Sequence, residues 1–351
     1  EIYMPKKKDI NKILIIGSGP IIIGQACEFD YSGTQACKAL RKLGYEIILV
    51  NSNPATIMTD PDVADITYIE PLNVERLTQI IEKERPDALL PNLGGQSGLN
   101  LCSELDEAGV LEKYGVRVIG VQVDAIERGE DRIEFKNAMN KLGIGMPKSE
   151  VAYTVEEAVK IADNLKYPVV LRPAYTMGGV GGGMVYNVDE LKVVCERGLQ
   201  ASLVGQVLVE ECIFGWEELE LEVVRDINNN KITVCFIENI DPVGIHTGDS
   251  FCSAPMLTIP EDVQKELQEM SYKIIESIEV IGGCNCQFAR DPETGRIAVI
   301  EINPRTSRSS ALASKATGFP IALVSAMLAC GLTLDEIPCG KYGTLDKYVP
   351  D

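Results

Sequence analysis

The chain has 351 residues, about twice the usual length of one domain, so two or three packed units are expected. Lysine and arginine total 33 while aspartate and glutamate total 52, which gives a net charge of −19. This balance argues against a nucleic-acid partner or an anionic membrane, because phosphate groups attract clustered positive charge. The hydrophobic share of 45% excludes wholesale disorder, and no apolar run reaches the ~18 residues of a bilayer-spanning helix.

The first third of the chain alternates between strand-like and helix-like segments. Short apolar runs predict strands over residues 12–17, 45–51, 87–91 and 117–120, and amphipathic stretches predict helices over 33–43, 74–83 and 97–108. This alternation implies an open parallel sheet with right-handed crossovers. The sequence therefore predicts an α/β fold that begins with a Rossmann-like parallel-sheet domain over residues 1–122.

A second pattern follows. One amphipathic helix is predicted over residues 123–142, within a helical connection that spans 123–150. Residues 151–210 combine two helices, strands and a glycine-rich loop, which predicts a small α+β unit. Residues 211–351 contain four complete strand-like runs and three helices, which predict a larger α+β unit.

The eleven cysteines are scattered, mostly within apolar runs, and only Cys284 and Cys286 lie close together. One-residue spacing in a strand-like segment is not a zinc-binding pattern, and a chain with one histidine excludes a histidine-rich metal site. An odd cysteine count without a signal peptide predicts a reduced, cytoplasmic protein.

A glycine turn, Gly17-Ser18-Gly19-Pro20, follows the first predicted strand. A dinucleotide fingerprint requires G-x-G-x-x-G, but residue 22 is isoleucine, and the second strand ends in Asn51 rather than in an acidic residue that holds a ribose. A Walker-type loop is also absent from the sequence. Any use of ATP must therefore proceed without a P-loop.

Arg172 interrupts the apolar run 169–171, directly before Pro173. A guanidinium cannot lose its charge, so its burial in this strand would require a neighbouring anion. The glycine-rich segment 177–183 follows and offers backbone N–H groups with little steric bulk. Such a loop can fold over phosphates that Arg172 also contacts, although a flexible hairpin with a structural ion pair explains the same residues.

The segment 299–305 carries the most specific polar pattern. Strand alternation places Glu301 and Asn303 on one face, and the neighbouring run 285–289 presents Asn285 and Gln287 together. One carboxylate with amide oxygens suits a Mg²⁺ ion that keeps water and phosphate oxygens as its remaining ligands. The pattern therefore predicts a magnesium site at this strand end, with an exposed polar strand end as the simpler alternative.

Two arginines follow that strand. Arg305 and Arg308 can hold an acyl phosphate or a transferring phosphate through bidentate hydrogen bonds. Anionic ligands followed by cationic side chains at one strand end indicate phosphoryl transfer rather than proton abstraction.

Two further segments concentrate polar groups. Glu218, Glu220 and Glu222 fall on one face of a predicted strand, where their charges repel one another unless cations or metal ions attend them. The loop 238–250 gathers oxygen-bearing side chains around His246, the only histidine of the chain. A lone histidine usually fills the surface or the core, but the glycines and oxygen ligands around this one favour a site.

Four segments resemble a known family. Residues 22–33 (IIGQACEFDYSG), 51–60 (NSNPATIMTD), 244–250 (GIHTGDS) and 303–315 (NPRTSRSSALASK) are similar to the large subunit of the carbamoyl phosphate synthetases, and the likeness runs almost continuously between about residues 7 and 333. The resemblance implies a pre-ATP-grasp domain over 1–122, a helical connection over 123–150, the lid subdomain of an ATP-grasp domain over 151–210, and its large subdomain over 211–351, truncated at the C-terminus.

The glycine segment and residues 303–310 resemble the amino-terminal half of that family. That half is an ATP-grasp ligase component that phosphorylates bicarbonate to carboxyphosphate, which ammonia converts to carbamate. The resemblance implies ATP, Mg²⁺ or Mn²⁺, and K⁺ as cofactors. It also implies a role in pyrimidine or arginine biosynthesis.

Individual positions carry roles by the same resemblance. ATP contacts are implied for Arg132, Arg172, Gly178, Gly179, Glu211, Ile213, Glu218, Gly244, Ile245, His246, Thr247, Gln287 and Glu301. Ligands of Mg²⁺ or Mn²⁺ are implied at Gln287, Glu301 and Asn303, and ligands of K⁺ at Glu218, Asn239, Asp241, Ile245 and Ser250. Catalytic roles are implied for Arg305 and Arg308, which would orient bicarbonate and carboxyphosphate, and for His246, which would line the phosphate site.

The family's chain is much longer, so the resemblance leaves open an excised fragment or a synthetase that is split among chains. Its implied partners are a glutaminase small subunit that supplies ammonia and the second synthetase half, fused or separate. Two alternatives remain from the sequence: another ATP-grasp carboxylase or ligase that resembles biotin carboxylase, and a catalytically silent nucleotide-binding scaffold.

Overall fold

The chain is described from a computed structural model that covers residues 9–20, 26–173, 182–202, 204–245 and 250–350. Three principal sheets, each with packed helices, account for most of the described residues. They correspond in order to the three patterned parts of the sequence.

The first sheet is parallel throughout. Its strands are Lys12–Ile16 (β1), Glu46–Asn51 (β2), Ile66–Ile69 (β3), Ala88–Leu90 (β4) and Arg117–Val118 (β5). Their spatial order is β3-β2-β1-β4-β5, as predicted for a Rossmann-like domain. The prediction missed β3, because its side chains are only partly covered and form no buried apolar run.

Four helices accompany this sheet: Ala26–Lys42 (α1), Val74–Glu84 (α2), Gly95–Glu107 (α3) and Val110–Tyr114 (α4). The first helix starts at least seven residues before its predicted beginning at Gly33. Gly33 lies inside the helix, where an added Cβ would stand 2.7 Å from the Met58 methyl carbon. The glycine therefore permits a close approach to the following loop and is not a helix start.

The connection consists of two helices, Val123–Glu130 (α5) and Arg132–Leu142 (α6), so the prediction of one continuous helix is wrong. Asp131 separates them with extended backbone angles, and its carboxylate accepts hydrogen bonds from the backbone N–H groups of Ile133 and Glu134. Apolar periodicity continues across this residue, but its N-cap geometry begins a new helix.

The second sheet is antiparallel and comprises Ser149–Ala152 (β6), Val169–Pro173 (β7), Gly183–Val185 (β8) and Val207–Glu211 (β9), in the order β6-β9-β7-β8. Helices Val155–Leu165 (α7) and Val188–Ala201 (α8) pack on one another and on this sheet. Their apolar side chains form a separate small core with Val169, Val185 and Val209.

The third sheet is antiparallel and comprises Glu217–Arg225 (β10), Lys231–Asn239 (β11), Cys252–Ser253 (β12), Gly282–Arg290 (β13) and Ile297–Asn303 (β14), in the order β12-β11-β10-β13-β14. The helices of this part are Glu261–Ile278 (α9), Arg308–Thr317 (α10) and Ile321–Ala329 (α11). A short hairpin, Pro338–Cys339 (β15) with Gly343–Thr344 (β16), follows, together with 3₁₀ turns at Leu334–Glu336, Gly340–Tyr342 and Leu345–Lys347.

One hydrophobic core joins the first and third sheets. It contains Leu14 and Leu99 from the first unit, Phe135 from the connection, and Leu221 and Phe288 from the third sheet, all nearly or fully inaccessible to solvent. The parallel sheet is thereby fixed against the antiparallel one, and the space left between their polar ends becomes the cavity described below.

Among the described residues, no single helix combines the length and apolar character needed to cross a membrane, and only the bent pair α10 and α11 meets both criteria jointly, with 114° between its members.

Candidate active site

A cavity of about 680 Å³ opens between the first and third sheets, a size typical of small-molecule sites. From the third sheet and the start of α10 it is lined by Glu220, Asn239, Asn285, Gln287, Glu301, Asn303, Arg305, Ser307, Arg308 and Ser309. From the first unit it is lined by Ser18, Pro20, Phe29, Gly94, Gly95, Gln96 and Ser97. The predicted metal ligands and catalytic arginines therefore share one cavity.

The first unit contributes two tight turns to the cavity wall. Asn51 is fully buried, and its side-chain oxygen accepts a hydrogen bond of 3.0 Å from the Gly19 N–H, which closes the turn after β1. At the start of α3, a Cβ on Gly94 would stand 2.6 Å from the Ile16 carbonyl oxygen. A glycine is required there because the helix begins in contact with the end of β1.

The predicted metal ligands lie on two neighbouring strands, β13 and β14, which pair in antiparallel register. Gln287 on β13 lies opposite Glu301 on β14, and Asn285 lies opposite Asn303. All four side chains line the cavity, and Glu301 is the most exposed of them. A bulge directly after Gln287 changes the register beyond this point without disturbing the four polar positions.

This donor set fits a magnesium or manganese ion. Gln287, Glu301 and Asn303 would hold it through one carboxylate and two amide oxygens, which leaves positions for phosphate oxygens and water. Within the ranges that the structure covers, no cluster of three or more His, Cys, Asp or Glu side chains is arranged to hold a metal. A single-carboxylate site of this kind therefore depends on the nucleotide for part of its ligand shell.

Arg305 and Arg308 enter the same cavity from the segment that links β14 to α10. The Arg305 Nη2 atom donates to the Asn303 side-chain oxygen at 3.1 Å, so the arginine is directed toward the predicted metal ligands. Ser307 caps α10 and forms a reciprocal capping box with Ser310. The cap fixes the turn from which Arg308 projects.

The row of carboxylates on β10 is satisfied differently from the prediction. Glu218, Glu220 and Glu222 are all buried. Glu220 accepts hydrogen bonds from the side-chain amides of Asn239, at 3.0 Å, and Asn285, at 2.9 Å. Neutral amide donors thus accompany Glu220 in place of the cations that the sequence led us to expect, and none of the three carboxylates forms an ion pair within the described part of the chain.

Burial also changes the acidity of this row. Burial, reinforced by the neighbouring Glu220 and Glu301 charges, raises the pKa of Glu218 to about 7. Burial likewise raises the pKa of Glu222 to about 7, although hydrogen bonds from Ser309 and Asn285 act in the opposite direction. A cation beside Glu218 would lower its pKa again.

Arg132 and Arg172, the predicted phosphate contacts, meet at one carboxylate outside the main cavity lining. The Arg132 Nη2 atom contacts Glu210 Oε1, and the Arg172 Nε atom donates to Glu210 Oε2 at 2.8 Å. Arg172 therefore has an anion beside it, although its own side chain is 55% exposed and Glu210 is the buried partner. Two exposed guanidinium faces thus stay available to a triphosphate.

Glu211 and Ile213, for which the resemblance implies ATP contacts, lie at the end of β9 and just beyond it. The Glu211 side chain accepts hydrogen bonds from both terminal nitrogens of Arg296, at 2.5 and 3.1 Å, and from the Lys148 backbone N–H. Burial alone would raise the pKa of Glu211, but these contacts hold it below its ordinary value. The Arg296 guanidinium also lies 5.5 Å from the ring of Trp216, between Ile213 and Glu218 in the chain.

Of the predicted K⁺ ligands, Glu218 lies on β10 and Asn239 ends β11, while Asp241, Ile245 and Ser250 follow β11. Asp241 accepts a hydrogen bond from the Phe251 N–H at 3.1 Å, and Ser250 donates to the Phe251 carbonyl. Gly244 has a φ of +115°, and a Cβ there would stand 2.0 Å from the Phe214 ring, so no other residue fits. Ile245 is 42% exposed and follows directly. Gly178, Gly179, His246 and Thr247 lie outside the described residues.

Two candidate residues escaped the prediction, Glu210 and Arg296. Glu210 lies on the same face of the second sheet as Arg172, because it pairs with Val170 across β9 and β7. A glutamate inside the apolar run of β9 was the available signal. No comparable sequence signal marks Arg296, because it lies in a polar turn and is near Glu211 only in the folded chain.

Comparison with solved structures finds this fold in other proteins. Similar folds include a biotin carboxylase domain of a 2-oxoglutarate carboxylase from Hydrogenobacter thermophilus, solved with MgADP and bicarbonate (TM-score 0.75, 22% identity, 97% of this chain and 73% of that one), and a biotin carboxylase from Campylobacter jejuni (TM-score 0.75, 20% identity, 96% and 74%). At such identities the likeness establishes the fold alone.

Sequence relatives define the family. The model described as "Carbamoyl phosphate synthase preATP-grasp domain" matches residues 9–128, and "Carbamoyl-phosphate synthase L chain, ATP binding domain" matches residues 131–337. The chain therefore belongs to the carbamoyl phosphate synthase large-chain family.

Two relatives show which part of the family this chain represents. The large chain of Archaeoglobus fulgidus is 60% identical over 336 residues, which are 95% of this chain and 31% of that protein. The large chain, N-terminal section, of Aquifex aeolicus is 58% identical over 348 residues, 99% of this chain and 62% of that protein. The chain thus spans about a third of the full large chains that it matches.

Proposed function

We propose that the chain catalyses the ATP-dependent phosphorylation of bicarbonate to carboxyphosphate, the first step of carbamoyl phosphate synthesis. One observation carries the proposal: Gln287, Glu301 and Asn303 share a cavity wall with Arg305 and Arg308. Metal-type oxygen donors beside two arginines suit the transfer of a phosphoryl group to a small anion. The match to a family ATP binding domain and to the N-terminal section of a related large chain supports this proposal.

In the proposed reaction a bicarbonate oxygen attacks the γ-phosphorus of ATP in line with the leaving oxygen. The new bond joins carbon-bound oxygen to phosphorus, the bond between the γ-phosphorus and the β,γ-bridging oxygen breaks, and ADP leaves with that electron pair. Bicarbonate is already anionic, so the chain need not supply a general base. Arg305 and Arg308 would orient the anion, because forked guanidinium groups fit planar oxyanions.

A divalent ion held by Gln287, Glu301 and Asn303 would neutralise charge on the β- and γ-phosphates. Arg132 and Arg172 would contact the phosphates, and Gly178, Gly179, His246 and Thr247 would be further contacts of the nucleotide. The Glu211 carbonyl and the Ile213 N–H would meet the adenine amino edge, while Glu218 would hold the ribose. These roles are supported by two contacts at the end of β9, where Glu210 binds Arg132 and Arg172 and Glu211 pairs with Arg296.

Further proposals concern the wider enzyme. K⁺ would bind among Glu218 on β10, Asn239 at the end of β11, and Asp241, Ile245 and Ser250 beyond it. Ammonia from a glutaminase small subunit would convert carboxyphosphate to carbamate, and the second synthetase half would phosphorylate the carbamate. A relative described as an N-terminal section supports a separate second half. The eleven free thiols support a reducing, cytoplasmic setting.

The test measures ADP release by the purified chain with Mg²⁺ and ATP, with and without bicarbonate. Carboxyphosphate decomposes in water, so we expect bicarbonate-stimulated ATP hydrolysis. ADP release that is independent of bicarbonate at every Mg²⁺ concentration would refute the proposal. Parallel reactions with biotin test the carboxylase alternative, since only a biotin-dependent enzyme would be stimulated by it.

A further inference from the structure

Glu222 is the most deeply buried carboxylate of the third sheet, with 1% of its surface exposed. Its Oε1 atom accepts hydrogen bonds from Asn285 Nδ2 at 2.9 Å, Ser309 Oγ at 2.8 Å and Ser307 Oγ at 3.2 Å. Its Oε2 atom accepts one from Ser310 Oγ at 2.9 Å. Four neutral donors thus surround one carboxylate that lies outside the cavity lining.

Three of these donors belong to one short segment. Residues 305–310 contain both cavity arginines and are here named the arginine segment. The last four residues of this segment form the cap and first turn of α10. Glu222 therefore joins β10 to the very turn that positions Arg308. A negative group at this place is also favoured by the helix dipole, since α10 begins there.

A second chain of contacts leads from Glu222 to the other arginine. Asn285 donates to Glu222, and its oxygen accepts from Asn303 Nδ2 at 3.4 Å. Asn303 in turn accepts from Arg305 Nη2 at 3.1 Å. Both cavity arginines are thus connected to the same buried carboxylate, one through helix capping and one through two amides.

We propose that Glu222 is a positioning residue that fixes the arginine segment against β10, so that Arg305 and Arg308 meet bicarbonate in the reactive geometry. It contacts neither substrate nor metal itself. The inference rests on the proposed function, and it extends that function to a residue outside the cavity. A glutamine at this position keeps the volume but turns an N–H donor toward Asn285 or the serine hydroxyls, which leaves donors facing donors.

Asp226 provides a matched control. It follows the same strand, is fully buried, and accepts hydrogen bonds from the backbone N–H groups of Asn228, Asn230 and Leu334. None of these residues lines the cavity. Asp226→Asn therefore removes a buried carboxylate that holds a turn elsewhere, with the same change of charge and volume as Glu222→Gln.

The experiment compares the wild type, Glu222→Gln and Asp226→Asn at pH 8 by amide hydrogen exchange and by steady-state kinetics. Exchange in peptides that cover residues 305–313 should accelerate about tenfold or more in Glu222→Gln and remain at the wild-type rate in Asp226→Asn. The bicarbonate-dependent kcat should fall about tenfold or more in Glu222→Gln, while the affinity for ATP, measured by calorimetry, changes less than about twofold.

Unchanged exchange in residues 305–313 of Glu222→Gln would overturn the inference, as would equal losses of kcat in the two variants. A wild type without bicarbonate-dependent ADP release would refute the proposed function instead, and the exchange result would still decide the role of Glu222. Should Glu222→Gln fail to fold, Ser309→Ala removes one donor to the same carboxylate. That variant should show the same pattern at about threefold, and wild-type exchange and kcat in it would overturn the inference.

Discussion

Gln287 and Glu301 face each other across β13 and β14, one amide oxygen and one carboxylate directed into the same cavity. The pairing is set by the backbone register of two antiparallel strands whose other face is apolar, where Cys286 and Ile302 are 0% and 4% exposed. A slip by one residue would turn both donors into the apolar core. The hydrophobic face thus determines where the predicted metal ligands lie.

Glu301→Gln should abolish bicarbonate-dependent ADP release, because the predicted metal site loses its only negative ligand while side-chain volume is conserved. Steady-state ADP release and a circular dichroism spectrum test this. Glu293→Gln, in an exposed turn before β14, is the matched control and should behave as the wild type. An unaltered rate in Glu301→Gln would contradict the site assignment.

Arg305→Lys should also lose most activity, since an ammonium group cannot reproduce the forked contact of a guanidinium with an oxyanion. We expect kcat to fall about a hundredfold, with little change in ATP affinity. Arg117→Lys changes an exposed arginine that pairs with Asp9 at the surface, and it should leave the kinetics intact. Full activity of Arg305→Lys would show that this residue contributes charge alone.

Arg296→Gln should weaken ATP binding about three- to tenfold, or about 1 kcal/mol, because Glu211 loses the partner that fixes the end of β9. Calorimetric titration with ATP measures the effect, and the bicarbonate KM should stay constant. Arg76→Gln on the exposed face of α2 serves for comparison. If ATP affinity is the same in both variants, the adenine edge does not depend on this ion pair.

The free energy of unfolding of the ligand-free chain should fall as pH rises from about 4.5 to about 7, because of the raised pKa of Glu222. In this window the folded chain retains a proton on Glu222, whose pKa is raised to about 7, whereas the unfolded chain has lost it near the ordinary value of 4.5. The free energy of unfolding therefore falls by about 1.4 kcal/mol per pH unit for this proton. Urea unfolding at pH 5 and pH 7 should show a smaller decrease for Glu222→Gln than for the wild type, and equal decreases would disprove it.

Gly94→Ala should destabilise the first unit by about 2–3 kcal/mol, because the new methyl group would overlap the carbonyl oxygens of Ile16 and Gly17. Thermal unfolding measures the change. A Cβ on Gly340 would have no atom within 4 Å, and the Gly340 backbone is not left-handed. Gly340→Ala should therefore change the free energy of unfolding by less than about 0.5 kcal/mol. Similar unfolding temperatures for the two variants would contradict the tight contact between α3 and β1.

The features that follow from local rules could be predicted. Side-chain alternation along a strand predicted that Glu301 and Asn303 share one face. The alternation of apolar runs with helices predicted that the sheet of the first unit is parallel. Both depend only on residues that are neighbours in the chain. The same holds for the arginines, which follow β14 directly.

The features that depend on distant pairing could not be predicted. The hydrogen bond between Ser307 and Glu222 spans 85 residues, and that between Arg132 and Glu210 spans 78. Strand register and helix placement decide such contacts, and neither is visible in a local window. The break at Asp131 has a different cause, since capping by one carboxylate overrides a periodicity that continues on both sides.

The shared core of Leu14, Leu99, Leu221 and Phe288 limits how this architecture can be recombined. A chimaera that exchanged the leading unit for one from a distant relative would bring together two unmatched apolar surfaces and distort the cavity between them. Substitutions on either surface must therefore be compensated on the other, so the two sheets are expected to change together over evolutionary time.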